Sequence, residues 1–391
     1  MTASMVGTFN SIVAGTGNAL TCVQLPGREV VAIAFIVGIV TAAGLSAFYV
    51  YRTHRNQPFS RVVHDQKVPR MNPVRCLRFG AVNELLTTGT AWFDHVRRIE
   101  DTGVDVLLVR DHLTADAFGP QLAPLPTLAA AAALTTRLRL GTLVLSNDFR
   151  HPALVAQDAA TIDFLSKGRL ELGLGAGWDN ADYTASGIPF DPAGIRIARL
   201  TEAVSIIDRL LSGETVTFEG TYYNIDEHAL PTTGAQRPRP PLLIGGGGPK
   251  MLSLAARHAD IVGILPAPIT AGQEADEPAD RSPAAIDAKL AVMRAAAPDR
   301  FDTLELSMFA TFVVTDRRRL DTEALIERMG WSGVSIDEVW AMPSMFIGSP
   351  SQICEDLHNR LDRVGVSYYV TSDRAIDDLS KVIGAWNMTN R

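Results

Sequence analysis

The sequence predicts an α/β protein, a (β/α)8 TIM barrel with insertions that follows an N-terminal extension. Short apolar segments alternate with amphipathic helical segments eight times between residues 77 and 386. The apolar segments carry hydrophobic residues at consecutive positions, which is typical of parallel strands covered on both faces. Eight such units fit a closed barrel. A doubly wound sheet, the alternative, rarely contains eight.

The bounds of the elements follow from this alternation and from local stop signals. Pro152 suits the first turn of the third helix, and Gly168 follows its end. The predicted strands are Leu77–Asn83, Val104–Val109, Leu138–Leu145, Leu170–Leu174, Pro241–Ile244, Ile261–Leu265, Leu304–Val314 and Val366–Val370. The predicted helices are Thr90–Thr102, Leu125–Leu134, Pro152–Leu165, Arg196–Leu211, Pro249–His258, Pro283–Ala296, Ser349–Val364 and Ala375–Trp386.

Two insertions interrupt the alternation. Residues 214–225, ETVTFEGTYYNI, predict a β-hairpin because two alternating apolar runs flank Glu219-Gly220. Residues 266–283 hold four prolines and four acidic residues and follow a predicted strand. Loops after barrel strands surround the active site, so this segment is either a lid or a solvated surface insertion.

Composition excludes several classes of protein. The chain has 391 residues, 47% of them hydrophobic, and a formal net charge of −7, which argues against bulk disorder and against a nucleic-acid partner. Its three cysteines, Cys22, Cys76 and Cys354, are widely separated. They form neither a metal-binding motif nor a disulfide framework, so we expect no metal site.

The extension, residues 1–70, differs in character from the predicted barrel domain, residues 74–390. Residues 30–51 carry no charge, and as a helix they would span the roughly 30 Å of a bilayer core. Basic residues follow this segment, which predicts a catalytic domain anchored to the inner, cytoplasmic face of the plasma membrane. The alternative is that translation starts at Met71, which would give a soluble cytoplasmic protein.

Polar residues follow the predicted strands at the end where barrel enzymes carry their active sites. His112 is the candidate general acid or base, because an imidazole titrates near neutral pH. Asp111, directly before it, is a candidate to orient the imidazole or to bind a ligand. The structural alternative is that His112 serves only as a hydrogen-bonding residue at a strand end.

Glycines follow two further strands. The stretch LELGLGAGWDN, residues 170–180, lacks the G-x-G-x-x-G spacing of a dinucleotide loop. We expect it to let a flat ring approach the backbone, with Trp178 either in a substrate pocket or in plain packing. The stretch LLIGGGGP, residues 242–249, opens a helix and predicts a phosphate site, or else a tight strand–helix corner.

Four stretches, taken together, resemble a known family. They are RDHL at 110–113, GTLVLSNDFRHPALVAQDAATIDFLSKGRLELGLGAGW at 141–178, RLTEAVSIIDRLLSGETVTFEGTYY at 199–223, and PLLIGGGGP at 241–249. They resemble the bacterial luciferase-like monooxygenase superfamily, and within it the branch of oxidoreductases that use coenzyme F420. The resemblance covers residues 74–390 and implies a cofactor across the C-terminal face of the barrel.

The resemblance also implies roles for individual residues. It makes His112 and Asp111 the catalytic pair, places a non-prolyl cis peptide at Leu143–Val144, and puts Trp178 in the substrate pocket. Sugar-phosphate dehydrogenases of the branch carry a catalytic Glu near the place of Trp178, and this departure argues against their reaction here. The implied cofactor contacts are Asp111, Leu143, Val144, Ser146, Gly175, Gly177, Asn180, Gly246, Gly247 and Gly248.

These observations predict a coenzyme F420-dependent oxidoreductase that transfers hydride between the deazaflavin and a small organic substrate. One alternative is an FMN-dependent luciferase-like monooxygenase that incorporates molecular oxygen. A second is a non-catalytic carrier of flavin or deazaflavin. A homodimer is compatible with each of the three.

Overall fold

The computed structural model describes residues 76–266 and 277–389, together with two short strands near the N-terminus. Those strands, Ile12–Gly15 and Leu20–Val23, pair antiparallel. The chain divides into two units between Asn72 and Pro73.

The predicted membrane helix at 30–51 and the alternative start at Met71 lie outside the described residues. Among the residues that the structure does describe, none of the helices has both the length and the apolar character that crossing a bilayer requires.

Eight parallel strands close into a barrel, as predicted. Each strand pairs with the next one along the chain, and the eighth pairs with the first. A short strand, Leu145–Ser146, extends the sheet beside the fourth. The barrel strands are β1 Arg78–Val82, β2 Val106–Val109, β3 Arg139–Thr142, β4 Leu170–Gly175, β5 Leu242–Gly246, β6 Ile261–Ile264, β7 Glu305–Phe309 and β8 Val366–Ser372.

Helices connect these strands, and every predicted helix overlaps an observed one. Serine at the N-cap followed by proline begins two of them, at Pro283 and Pro350. The helices are α1 Gly89–Asp101, α2 Pro124–Leu134, α3 Pro152–Leu165, α4 Asn180–Ser186, α5 Ala193–Leu211, α6 Pro249–His258, α7 Pro283–Ala296, α8 Arg318–Arg328, α9 Ile336–Ala341, α10 Pro350–Val364 and α11 Ile376–Thr389.

The prediction of one long strand over Leu304–Val314 is wrong. β7 ends at Phe309, and a separate strand, Thr311–Val314, pairs outside the barrel with Met345–Gly348. The chain changes partner at this point because the Ala310 amide donates to Val370 in β8 and the next amide donates to Ser344. Helices α4, α8 and α9 were not predicted. α8 is rich in charged residues, and the other two span at most seven residues.

The predicted hairpin forms by antiparallel pairing of Val216–Glu219 with Asn224–His228. The Glu202 carboxylate of α5 accepts the backbone amides of Thr221, Tyr222 and Tyr223, which fixes the turn to the barrel. The second insertion contains residues 267–276, which lie outside the described residues, so its role as a lid stays a prediction.

Glycines in β4 let the end of β3 pack directly against that strand. A Cβ on Gly173 would lie 1.9 Å from the Thr142 carbonyl oxygen, and a Cβ on Gly175 would lie 2.4 Å from Val144 Cγ2. Thr142 Oγ1 also donates to the Gly173 carbonyl at 2.8 Å and accepts the Gly173 amide at 2.9 Å. These two glycines are therefore required for packing within the protein.

We predict that Gly173→Ala destabilises the barrel by about 3 kcal/mol, because the new methyl group meets backbone atoms that cannot move aside. Urea unfolding curves measure the effect. Gly384→Ala is the matched control, because Gly384 lies inside α11 with open space around its Cβ position. That change should leave stability unchanged or raise it by up to about 1 kcal/mol. Equal stability of the two variants would contradict the packing role.

Candidate active site

The floor of the candidate site is apolar and lies at the C-terminal mouth of the barrel. Side chains inside the barrel form a closed core, and Leu143, Val144 and Phe309 pack on it while staying partly exposed. The Leu143–Val144 peptide bond is cis, as the resemblance implied. A partly exposed apolar floor of this kind suits the face of a flat ring.

His112 follows the end of β2 and so lies at the same mouth of the barrel. Its Nδ1 atom lies 2.8 Å from Asp182 Oδ2 and 3.8 Å from Asp179 Oδ2. The side chain is only 10% exposed, and its Nε2 atom makes no hydrogen bond to any of the described residues. The imidazole is therefore held from its Nδ1 side and keeps Nε2 for a ligand.

Aromatic rings surround the imidazole. The ring centroids of Phe118 and Trp178 lie 5.0 and 5.6 Å from that of His112, and 6.2 Å from each other. The Arg110 guanidinium stacks on Phe118 at 4.0 Å and forms an ion pair with Glu84 at 2.5 Å. The structure thus brings the predicted pocket residue Trp178 together with the predicted catalytic histidine.

Asp111 occupies a different environment from its neighbour. Its carboxylate forms a bidentate ion pair with Arg150, and Oδ2 also accepts a hydrogen bond from the Ser146 backbone amide at 3.0 Å. Both oxygens are thereby committed to protein donors, and the side chain is almost completely buried. The pair ties the end of β2 to the loop after β3, while the predicted contact of Asp111 with a cofactor stays a prediction.

Gly177 takes a backbone conformation that requires glycine. Its φ is +72°, and a Cβ there would lie 1.9 Å from the Tyr183 hydroxyl oxygen. The Tyr183 hydroxyl donates to Asp148 at 3.0 Å and lies 3.4 Å from Ser146 Oγ. Burial, together with Asp148, raises the pKa of Tyr183 to about 12, so the phenol stays neutral. The loop after β4 is thereby fixed against the loop after β3.

Two arginines of α5 hold the same loop from the other side. Arg196 donates to the Gly177 and Asp191 carbonyls, and Arg199 bridges the carboxylates of Asp148 and Asp191. These bonds give Trp178 and the residues after it fixed positions at the mouth of the barrel.

A buried carboxylate holds the loop after β1. Burial alone would raise the pKa of Asp373, but hydrogen bonds from His95, from Asn83 and from the amides of Glu84 and Leu85 outweigh it and lower the pKa. Asp373 therefore stays ionised and anchors the backbone that carries Glu84.

The glycine run at the end of β5 borders the floor at Val144. Gly248 is the N-cap of α6, where proline begins the helix and Lys250 is exposed. A Cβ on Gly245 would make only ordinary contacts, 3.8 Å to Val144 Cγ1 and 3.9 Å to the Gly263 carbonyl oxygen. A Cβ on Gly246 would lie 2.5 Å from Met251 Cβ, so this glycine also serves a close strand–helix corner. The start of α6 suits an anionic group, and the phosphate contact of Gly246 to Gly248 stays a prediction.

Asn180 differs from the other predicted contacts in its exposure to solvent. It is the exposed first residue of α4. Reasoning from the sequence missed Asp182 and Phe118 as neighbours of His112. No signal in the sequence pointed to Asp182, because this residue lies in α4, a helix that was not predicted.

Comparison with known proteins identifies relatives of several activities. The chain is 37% identical over 181 residues to the F420-dependent glucose-6-phosphate dehydrogenase of Microbacterium testaceum, covering 46% of this chain and 51% of that protein. It is 36% identical over 169 residues to the F420-dependent hydroxymycolic acid dehydrogenase of Mycobacterium tuberculosis, covering 42% of this chain and 46% of that protein. The chain thus spans about half the length of the curated relatives it matches.

Solved structures share the fold over a longer stretch. An F420-dependent secondary alcohol dehydrogenase aligns with a TM-score of 0.62 at 20% identity, covering 80% of this chain and 99% of that one. The profile of the family described as luciferase-like monooxygenase matches residues 86–367. Because that match includes well over half of the sequence, the chain belongs to the luciferase-like monooxygenase family.

Proposed function

We propose that this protein is a coenzyme F420-dependent oxidoreductase that transfers hydride between the deazaflavin and a small organic substrate. The observation that carries the proposal is a histidine fixed at Nδ1 at the same barrel mouth as a partly exposed apolar floor. The activities of the curated relatives, which are named as F420-dependent dehydrogenases, support the choice of cofactor.

The residues at the mouth fit a flat anionic cofactor. Leu143 and Val144 offer an apolar face for the ring, and Gly245 leaves space beside Val144. The start of α6, with Lys250 nearby, suits the phosphate, because backbone amides and the helix dipole both favour negative charge there. A deazaflavin supplies a ring carbon that accepts or donates hydride.

The chain itself supplies binding and proton transfer. In the oxidation of a hydroxyl group, the carbon-bound hydrogen leaves as hydride and the oxygen-bound hydrogen leaves as a proton. Nε2 of His112 receives that proton, and it returns the proton in the reverse reaction. Phe118 and Trp178 cover the imidazole and limit the access of water.

We predict that purified protein binds F420 at least about tenfold more tightly than FMN, a difference of about 1.4 kcal/mol. Equilibrium dialysis with each cofactor measures both dissociation constants under the same conditions. Tighter binding of FMN, with rapid oxygen consumption after reduction, would instead identify a flavin monooxygenase. Tight F420 binding without turnover on any alcohol or carbonyl substrate would identify a carrier.

We predict that His112→Gln lowers kcat for F420-dependent oxidation of an alcohol by about 10²- to 10⁴-fold, because the proton acceptor is lost. The dissociation constant for F420 should change little, since the apolar floor is intact. Steady-state kinetics and dialysis separate the two effects. His228→Gln, in the hairpin strand, is the matched control. An unchanged kcat in His112→Gln would refute the assignment of His112.

A further inference from the structure

A carboxylate from the loop after β4 holds the imidazole of His112. Asp182 Oδ2 lies 2.8 Å from His112 Nδ1, and the Asp182 side chain is 3% exposed. Its other oxygen, Oδ1, accepts the Leu113 and Thr114 amides at 2.8 Å each and the Thr114 hydroxyl at 3.0 Å. Asp182 thus joins α4 to the loop after β2 and faces His112 in a fixed orientation.

This contact determines which imidazole nitrogen carries hydrogen. An ionised carboxylate only accepts hydrogen bonds, so His112 Nδ1 must be the donor in this pair. A neutral imidazole carries a single N–H, and Nε2 therefore keeps its lone pair. Nε2 makes no hydrogen bond to the part of the chain that the structure describes, so that lone pair is available at the mouth.

A second carboxylate faces the same nitrogen. Asp179 Oδ1 caps α4 by accepting the Ala181 amide at 3.0 Å. Its Oδ2 is buried, lies 3.8 Å from His112 Nδ1 and has no hydrogen-bond partner among the described residues. When Nε2 takes up a proton, the positive charge on the imidazolium is close to two negative groups of the protein.

We propose that Asp182 is a positioning residue that holds His112 as the Nδ1–H tautomer, so that Nε2 exchanges the proton with substrate. Asp179 assists by balancing the charge of the imidazolium. The inference rests on the proposed function for the identity of the reaction, but the tautomer itself is a property of the protein without cofactor or substrate.

Asp182→Asn tests the inference sharply. The amides of Leu113 and Thr114 can only donate, so the asparagine carbonyl oxygen must take the place of Oδ1. The NH₂ group then faces His112 Nδ1 and donates to it, which moves the imidazole hydrogen to Nε2. The loop stays bonded, while the proton acceptor disappears from the mouth.

The measurement is ¹⁵N NMR of protein labelled at histidine, recorded at a pH where imidazoles are neutral, with His112→Gln to assign the resonance. We expect the His112 imidazole to be the Nδ1–H tautomer in the wild-type protein and the Nε2–H tautomer in Asp182→Asn. In the F420-dependent reaction we expect kcat to fall by about 10²- to 10⁴-fold with little change in KM, since the same replacement in a Ser-His-Asp triad has an effect of this size.

Two variants separate positioning from a merely structural role. Asp182→Glu keeps a carboxylate and should retain the Nδ1–H tautomer and recover much of kcat. Thr114→Val removes one donor to Oδ1 without changing the partner of Nδ1, so its tautomer should be that of the wild-type protein. A fall in kcat in Asp182→Asn without a change of tautomer would overturn the proposal, and so would an unchanged rate.

The outcomes remain distinguishable from failure of the proposed function. If no F420-dependent turnover is found, the NMR result still decides whether Asp182 sets the tautomer. A metal ion is the competing explanation, because the ligand atoms of His112, Asp179 and Asp182 lie within 4.8 Å of one another. Specific binding of added Zn²⁺ that removes the Nδ1 hydrogen in the wild-type protein would overturn the proposal. A His112 resonance that added Zn²⁺ leaves unaltered would support the proposal.

Discussion

The packing of the end of β3 against two glycines of β4 is the constraint on which the candidate site depends. Thr142 exchanges two hydrogen bonds with Gly173, and Val144 occupies the place that a side chain on Gly175 would fill. The chain therefore leaves the barrel wall and turns Leu143 and Val144 over the inner core. An apolar floor at the mouth is the direct consequence.

Buried ion pairs then fix the three loops around this floor. Arg150 links the loops after β2 and β3 through Asp111, and Arg199 links the loops after β3 and β4 through Asp148. Such pairs cost desolvation energy and contribute little net stability, but they hold neighbouring groups in one arrangement. The imidazole at the mouth is consequently placed before any ligand arrives, which is a condition for efficient proton transfer.

Much of the fold could be predicted from the sequence because strands and helices of a barrel bury their side chains in different patterns. Parallel strands show continuous apolar runs, and helices such as α5 show a stripe of period 3.6. The break after Phe309 could not be predicted in this way. The segments on both sides of it are apolar strands, and only the hydrogen-bond partner changes.

The site was predictable in part. His112 could be singled out because it follows the end of a predicted strand. The resemblance placed a cis peptide at Leu143–Val144, which the structure confirms. The partners of His112 could not be found, because Asp182 approaches it from 70 residues further along the chain. The three glycines of LELGLGAGWDN were expected beneath a flat ring. In the structure Gly173 and Gly175 receive Val144 and its neighbours, which form the floor, and the approach of a ring to this stretch stays a prediction.

In the proposed function a deazaflavin ring lies on this floor, beside Gly245. The most direct measurement is the dissociation constant for F420 of Gly245→Val, with the unfolding free energy measured in parallel. A Cβ at Gly245 makes only ordinary contacts, so the variant should stay folded, and the unfolding measurement reports the cost of the two γ-methyl groups. The added side chain lies beside Val144, and affinity should fall at least about tenfold. A folded variant that binds F420 as tightly as the wild-type protein would contradict the account.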